Sequence, residues 1–122
     1  MERKDFEALV MKAVEDLPEV FKNKLENVDI IIDDEPPSGT SGVVDAHYKK
    51  LLLGLYQGVP LSKRTHYYGM VMPDKITIFQ KNIERICKTD QDIIHLANHT
   101  IQHELAHHFG ISDERLKELG IY

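Results

Sequence analysis

From Asp5 onward the apolar residues Phe6, Leu9, Val10, Ala13, Val14 and Leu17 recur every three or four positions, which lays them along one stripe of a helix. Asp5 is a fitting N-cap, and Pro18 ends the run because it has no amide hydrogen to continue the ladder. A second short helix is expected over Glu19 to Glu26, packing through Val20, Phe21 and Leu25. Val28 to Ile32, VDIII, is β-branched and short, the pattern of a buried strand that Pro36 and Pro37 bring to an end. Between them Asp33, Asp34 and Glu35 read as a solvated turn, since a lone acidic run has no second cluster with which to hold a cation.

Ser38 to Lys50 reads as a loop, in which His47 has no evident partner. Leu51 to Tyr56, LLLGLY, reads as a central strand whose Gly54 admits another backbone at close range, and Gly58-Val59-Pro60 turns the chain out of it. The loop Leu61 to Met72 carries Arg64, His66, Tyr67 and Tyr68, side chains able to polarise a carbonyl or stabilise an oxyanion. Lys75 to Gln80, KITIFQ, alternates polar and apolar as a half-buried strand does, antiparallel to a neighbour. At a sheet edge its backbone would be open to pairing with an extended peptide.

Asn82 to Lys88 is a short helical stretch. Thr89 and Asp92 then have the spacing of a capping box, opening a helix with apolar faces at Ile93, Ile94, Ala97, Ile101, Leu105 and Phe109. Ser112 to Tyr122 allows a last turn or two of helix, with Leu116 and Leu119 turned inward.

The chain has 122 residues, which suits one domain spanning 1–122 with a modest core. Apolar residues at 42% and charged residues at 29% argue against both disorder and membrane insertion. A net charge of −5 speaks against a nucleic-acid partner, which would need clustered Lys and Arg; Lys63 and Arg64 are the one short basic stretch. Cys87 is the only cysteine, so neither an internal disulfide nor a thiolate metal cluster is available, and it is expected to be a buried thiol. A charged N-terminus and no membrane-length apolar run lead to an expected cytoplasmic location.

The candidate chemistry lies in the long C-terminal helix. His103, Glu104 and His107 form H-E-x-x-H, which puts two imidazoles one turn apart with a carboxylate about 100° round the helix from His103. Two such imidazoles suit zinc, and Glu104 can face a zinc-activated water as general base. Catalytic zinc takes a third protein ligand. Gly110 lets the chain turn back, and Asp113 follows it, giving H-E-x-x-H-x-x-G-x-x-D; Glu114 and His108 are alternatives within reach. His95, His99, His103 and His107 recur every four residues, but Glu104 singles out the last pair, leaving His95 and His99 as exposed or orienting residues.

HELAHHFGISDERL, GLYQGVPLSKR and MPDKITIFQ, in separate segments within residues 28 to 120, resemble the minimal zincin-like metallopeptidase family of small bacterial proteins. The resemblance implies a compact α+β zincin-like domain with a small mixed sheet on which the metal helix packs. It also implies a zinc-dependent peptidase with His103, His107 and Asp113 as metal ligands and Glu104 catalytic. Only nine residues follow Asp113, where larger zincins place a further subdomain with a methionine turn. A shallow cleft is the consequence, suiting small peptides or one specific protein. The competing expectations are a metal-stabilised module that docks a partner through KITIFQ, and hydrolysis of a non-peptide such as RNA, which the acidic balance disfavours. Composition carries no signal for oligomeric state.

Overall fold

Helix α1, Arg3–Glu15, buries Phe6, Val10 and Ala13, members of the stripe that the three-and-four spacing marks out. It begins two residues earlier than Asp5: Glu2 is the N-cap, and Asp5 lies in the first turn, where its charge suits the helix dipole. After Pro18, helix α2, Glu19–Lys24, buries Phe21 but leaves Val20 exposed. This computed structural model describes residues 1–36, 47–48, 51–58, 73–110 and 113–118; the loop with Arg64, His66, Tyr67 and Tyr68, and Leu119, lie outside them.

The strands are β1 (Val28–Asp33), β2 (His47–Tyr48), β3 (Leu51–Leu52), β4 (Gly54–Gln57) and β5 (Asp74–Phe79), followed by helices α3 (Gln80–Ile86), α4 (Asp90–His108) and α5 (Asp113–Glu118). The main sheet is mixed, in the order β1-β5-β4. β1 runs parallel to β5, Val28 opposite Asp74 through Asp33 opposite Phe79, while β4 runs antiparallel, Gly54 opposite Ile78 and Gln57 opposite Lys75. The fold is α+β, as the resemblance implies.

Three strand expectations are corrected. KITIFQ is not an edge: β5 is the middle strand, with both backbone edges taken by β1 and β4, so it cannot capture a peptide by strand addition. Its polar Thr77 is buried, although it points to the face opposite Ile76 and Ile78, and Lys75 is its one exposed position. LLLGLY is not one central strand. It divides at Leu53 into β3, paired with β2 in a separate two-stranded sheet, and β4, which flanks β5. His47 accordingly belongs to β2 opposite Leu52 rather than to a loop without pairing. VDIII is not buried throughout, because as a flanking strand it alternates half-buried and exposed residues, with Ile31 facing out.

The core is where α1, α4 and the sheet meet, around Phe6, Val10, Ile76, Ile78, Ile101 and Leu105. Side-chain amides tie the layers. Asn82 Nδ2 donates to Leu52 O at 2.7 Å, and Asn98 Nδ2 donates to Ala13 O at 2.8 Å, fixing α4 against the end of α1. The acidic turn after β1 is pinned by cations: Arg3 pairs with Asp34 and also donates to Ile32 O, and Arg85 pairs with Glu35. Both pairs are half-exposed, so they set register more than they add stability. Among the described residues no helix is long and apolar enough to cross a membrane.

Candidate metal centre

Helix α4 starts from the capping box that the Thr89/Asp92 spacing predicts. Thr89 Oγ1 accepts from Asp92 N at 3.1 Å, while Asp92 Oδ2 accepts from Thr89 N at 3.2 Å and Lys88 N at 3.1 Å. The amides of Lys88 and Thr89 hold the Asp92 carboxyl below its ordinary range. From that start, the 3.6-residue period fixes which residue faces what for nineteen residues.

One face, with Ile93, Ile94, Ala97, Ile101 and Leu105, enters the core. A second face carries Thr100, Glu104 and His108, each four residues from the last, and it lies along β4. A side chain at Gly54 would put its first carbon 2.6 Å from Thr100 Cγ2, so only glycine lets helix and strand approach this closely. Gly54 does admit a near neighbour as the sequence suggests, but the tightest contact is with a helix side chain, with the strand backbone at Thr77 O next at 3.3 Å. At the far end His108 stacks on Tyr56, ring centroids 3.9 Å apart and 15° from parallel. Glu104 lies between these two contacts and is 1% exposed.

The third face carries the histidines. His95, His99 and His107 are exposed, and His103 is half-buried. The His103 and His107 rings are 4.2 Å apart at 44°, whereas His99 and His103 are 6.4 Å apart, so the H-E-x-x-H pair is the closer one. Two imidazoles at 4.2 Å bring their edges within reach of a single ion bonded to nitrogen at about 2.0–2.1 Å. That donor set fits zinc, and a buried carboxylate one residue from His103 completes the local arrangement.

The chain then turns as Gly110 predicts: it has φ +68°, in the left-handed region, and a Cβ there would meet nothing within 4 Å. Helix α5 begins at Asp113, whose backbone is placed and whose side chain is outside the described residues; Glu114 is exposed. Among the described residues no three His, Cys, Asp or Glu side chains gather as a metal-holding group. His108, an alternative third ligand by sequence, stands about 100° round the helix from His107 and keeps other company. Its Nε2 is 3.8 Å from Asp74 Oδ2, which also accepts from Tyr56 Oη at 2.6 Å.

Tyr56 and Asp74 are thus residues near the centre that sequence reasoning misses. The available signal is the Thr100-Glu104-His108 spacing, which marks a polar stripe needing a polar lining opposite it. Phe109, expected to pack inward, is instead 44% exposed beneath the Lys24 ammonium, 4.5 Å from the ring centre. Cys87 is half-buried rather than buried; desolvation first and the Asp92 charge second push its thiol up, away from thiolate chemistry.

A conserved hypothetical protein from Thermo thermophilus has a similar solved structure, with 24% sequence identity and a TM-score of 0.53 over 89% of this chain and 94% of that one. At that identity the likeness speaks to the fold. No curated protein matches the sequence. The family model described as zincin-like metallopeptidase matches residues 25–121, a span that takes in β1 to β5, α3, α4 and α5. With the H-E-x-x-H pair at hand on α4 and the match running through it, this chain belongs to the zincin-like metallopeptidase family.

Proposed function

We propose that the protein is a zinc-dependent peptidase in which His103, His107 and Asp113 hold the metal and Glu104 is the general base. The observation that carries the reading is the convergence of the His103 and His107 rings at 4.2 Å, with the Glu104 carboxylate buried beside them on the same helix. Two neutral imidazoles and one carboxylate leave a divalent ion with net positive charge. When bound, zinc supplies Lewis acidity, polarising a peptide carbonyl and lowering the pKa of a water to about 7.

The chain's own residues do the rest. The capping box and the Gly54 contact fix α4 in rotation and height, so the two imidazoles are presented together without an ordering cost at binding. The Glu104 carboxylate accepts the proton of the attacking water and returns it to the leaving amine. Its burial against β4 keeps bulk water from competing for that proton. A module that docks a partner through β5 is disfavoured by the pairing of both β5 edges.

The test is hydrolysis of a mixed peptide pool by zinc-loaded protein, followed by mass spectrometry, for wild type and Glu104→Gln. Wild type should cleave, and the variant should keep its zinc while losing about 10²–10⁴-fold in rate. Equal rates would remove Glu104 from the chemistry, and an inert zinc-loaded wild type would remove the peptidase reading.

A further inference from the structure

We infer that His95 and His99 form a second, weaker binding site for a divalent transition-metal ion, separate from the H-E-x-x-H centre. The two residues stand four apart on α4, the spacing that brings Cβ atoms to about 5–6 Å on one face and lets two imidazoles take one ion without bending the helix. Both line open surface grooves, so a hydrated cation can reach them.

Their surroundings suit a cation. His95 and His99 form the ridge shared by two grooves, one bounded by Asp92 and Cys87 and the other by Asp16 and Asn98. Asp92 and Asp16 bring negative charge, and no Lys or Arg among the described residues lines either groove. Asp92 is engaged by the amides of Lys88 and Thr89 and acts here through its field, not as a ligand. Because no group of three ligating side chains exists among the described residues, water completes the coordination, and the site is weaker than one with three protein ligands. Imidazole donors select zinc, nickel or copper over magnesium or calcium.

The two sites do not merge. From the midpoint of His95 and His99 to that of His103 and His107 is about eight residues, about 12 Å along the axis and about 80° around it. No single side chain spans that interval. The inference does not depend on the peptidase reading, since it concerns binding alone.

The experiment is calorimetric titration of full-length, untagged, metal-free protein with zinc and with nickel. It compares wild type, His95→Ala, His99→Ala and the double variant His103→Ala/His107→Ala, each checked for helix content by circular dichroism. Wild type should bind two equivalents, the second more weakly. His95→Ala and His99→Ala should each weaken the second step about tenfold or more and leave the first unchanged. The double variant should keep the weaker step, and zinc should still raise its Tm. A wild type that takes up a single equivalent, lost in the His103→Ala/His107→Ala variant and kept in His95→Ala and His99→Ala, would overturn the inference. So would a weak step that survives His95→Ala but not His99→Ala, which would assign it to His99 with His103.

Discussion

Gly54 and Thr100 meet so closely that a β-carbon on the glycine would stand 2.6 Å from Thr100 Cγ2. The threonine cannot swing aside cheaply, because its Oγ1 donates to Leu96 O at 2.7 Å and its branched side chain is held in that rotamer. This contact sets the distance between β4 and the face of α4 that carries Glu104. Gly54→Ala should therefore destabilise the protein by about 1–3 kcal/mol in urea denaturation, as overpacked cores do. Thr100→Ser removes Cγ2 and keeps the hydroxyl, so Gly54→Ala/Thr100→Ser should recover part of the loss. Equal stability of wild type and Gly54→Ala would show that helix and strand are not locked here.

Thr89 and Asp92 govern the start of the same helix. Thr89→Ala should cost about 1 kcal/mol, the usual worth of an N-cap side chain, read from denaturant midpoints. Asp92 adds a pH dependence. Its folded carboxyl is held below the ordinary 3.8 by the Lys88 and Thr89 amides, so its contribution is complete above that value. It is lost as the pH falls through the lower, folded value. The stability difference between wild type and Asp92→Asn should be flat from about pH 7 to about pH 5 and shrink below pH 3.8. A difference that grows on acidification would contradict the capping geometry.

Tyr56, Asp74 and His108 join β4, β5 and the last turn of α4. The Tyr56 hydroxyl donates to a largely buried carboxylate at 2.6 Å, and a hydrogen bond to a charged acceptor is worth about 1.5–3 kcal/mol. Tyr56→Phe keeps the ring that stacks on His108 and should lose about that much stability. In a double-mutant cycle Tyr56→Phe and Asp74→Asn should be strongly non-additive, whereas strict additivity would mean that the hydroxyl and carboxylate do not cooperate.

What the sequence makes legible is what local rules decide. The α1 stripe, the Thr89/Asp92 box, the left-handed Gly110 and the one-turn spacing of His103 and His107 depend on residues within a few positions of each other, and all four stand as expected. Strand position is a different matter, because it depends on which segment arrives beside which. KITIFQ alternates like a half-buried strand, yet Thr77 is buried, because β5 lies between β1 and β4 in the middle of the sheet. VDIII reads as buried and is half-exposed because, among the described residues, only β5 adjoins it in the sheet. Tyr56 and Asp74 escaped for the same reason. Eighteen positions separate them, and only the antiparallel return of β4 along β5 brings the hydroxyl to the carboxylate.

The central claim is a three-ligand zinc centre at His103, His107 and Asp113, and its most direct test is zinc affinity by competition with a chromophoric chelator. Wild type, His103→Ala, His107→Ala and Asp113→Ala would be compared on the tighter binding step. Since disturbing a ligand's supporting partner alone costs about 10–100-fold in affinity, removing a ligand itself should cost more than about 100-fold in each variant. Tight binding that persists unchanged in His103→Ala and Asp113→Ala would contradict the account.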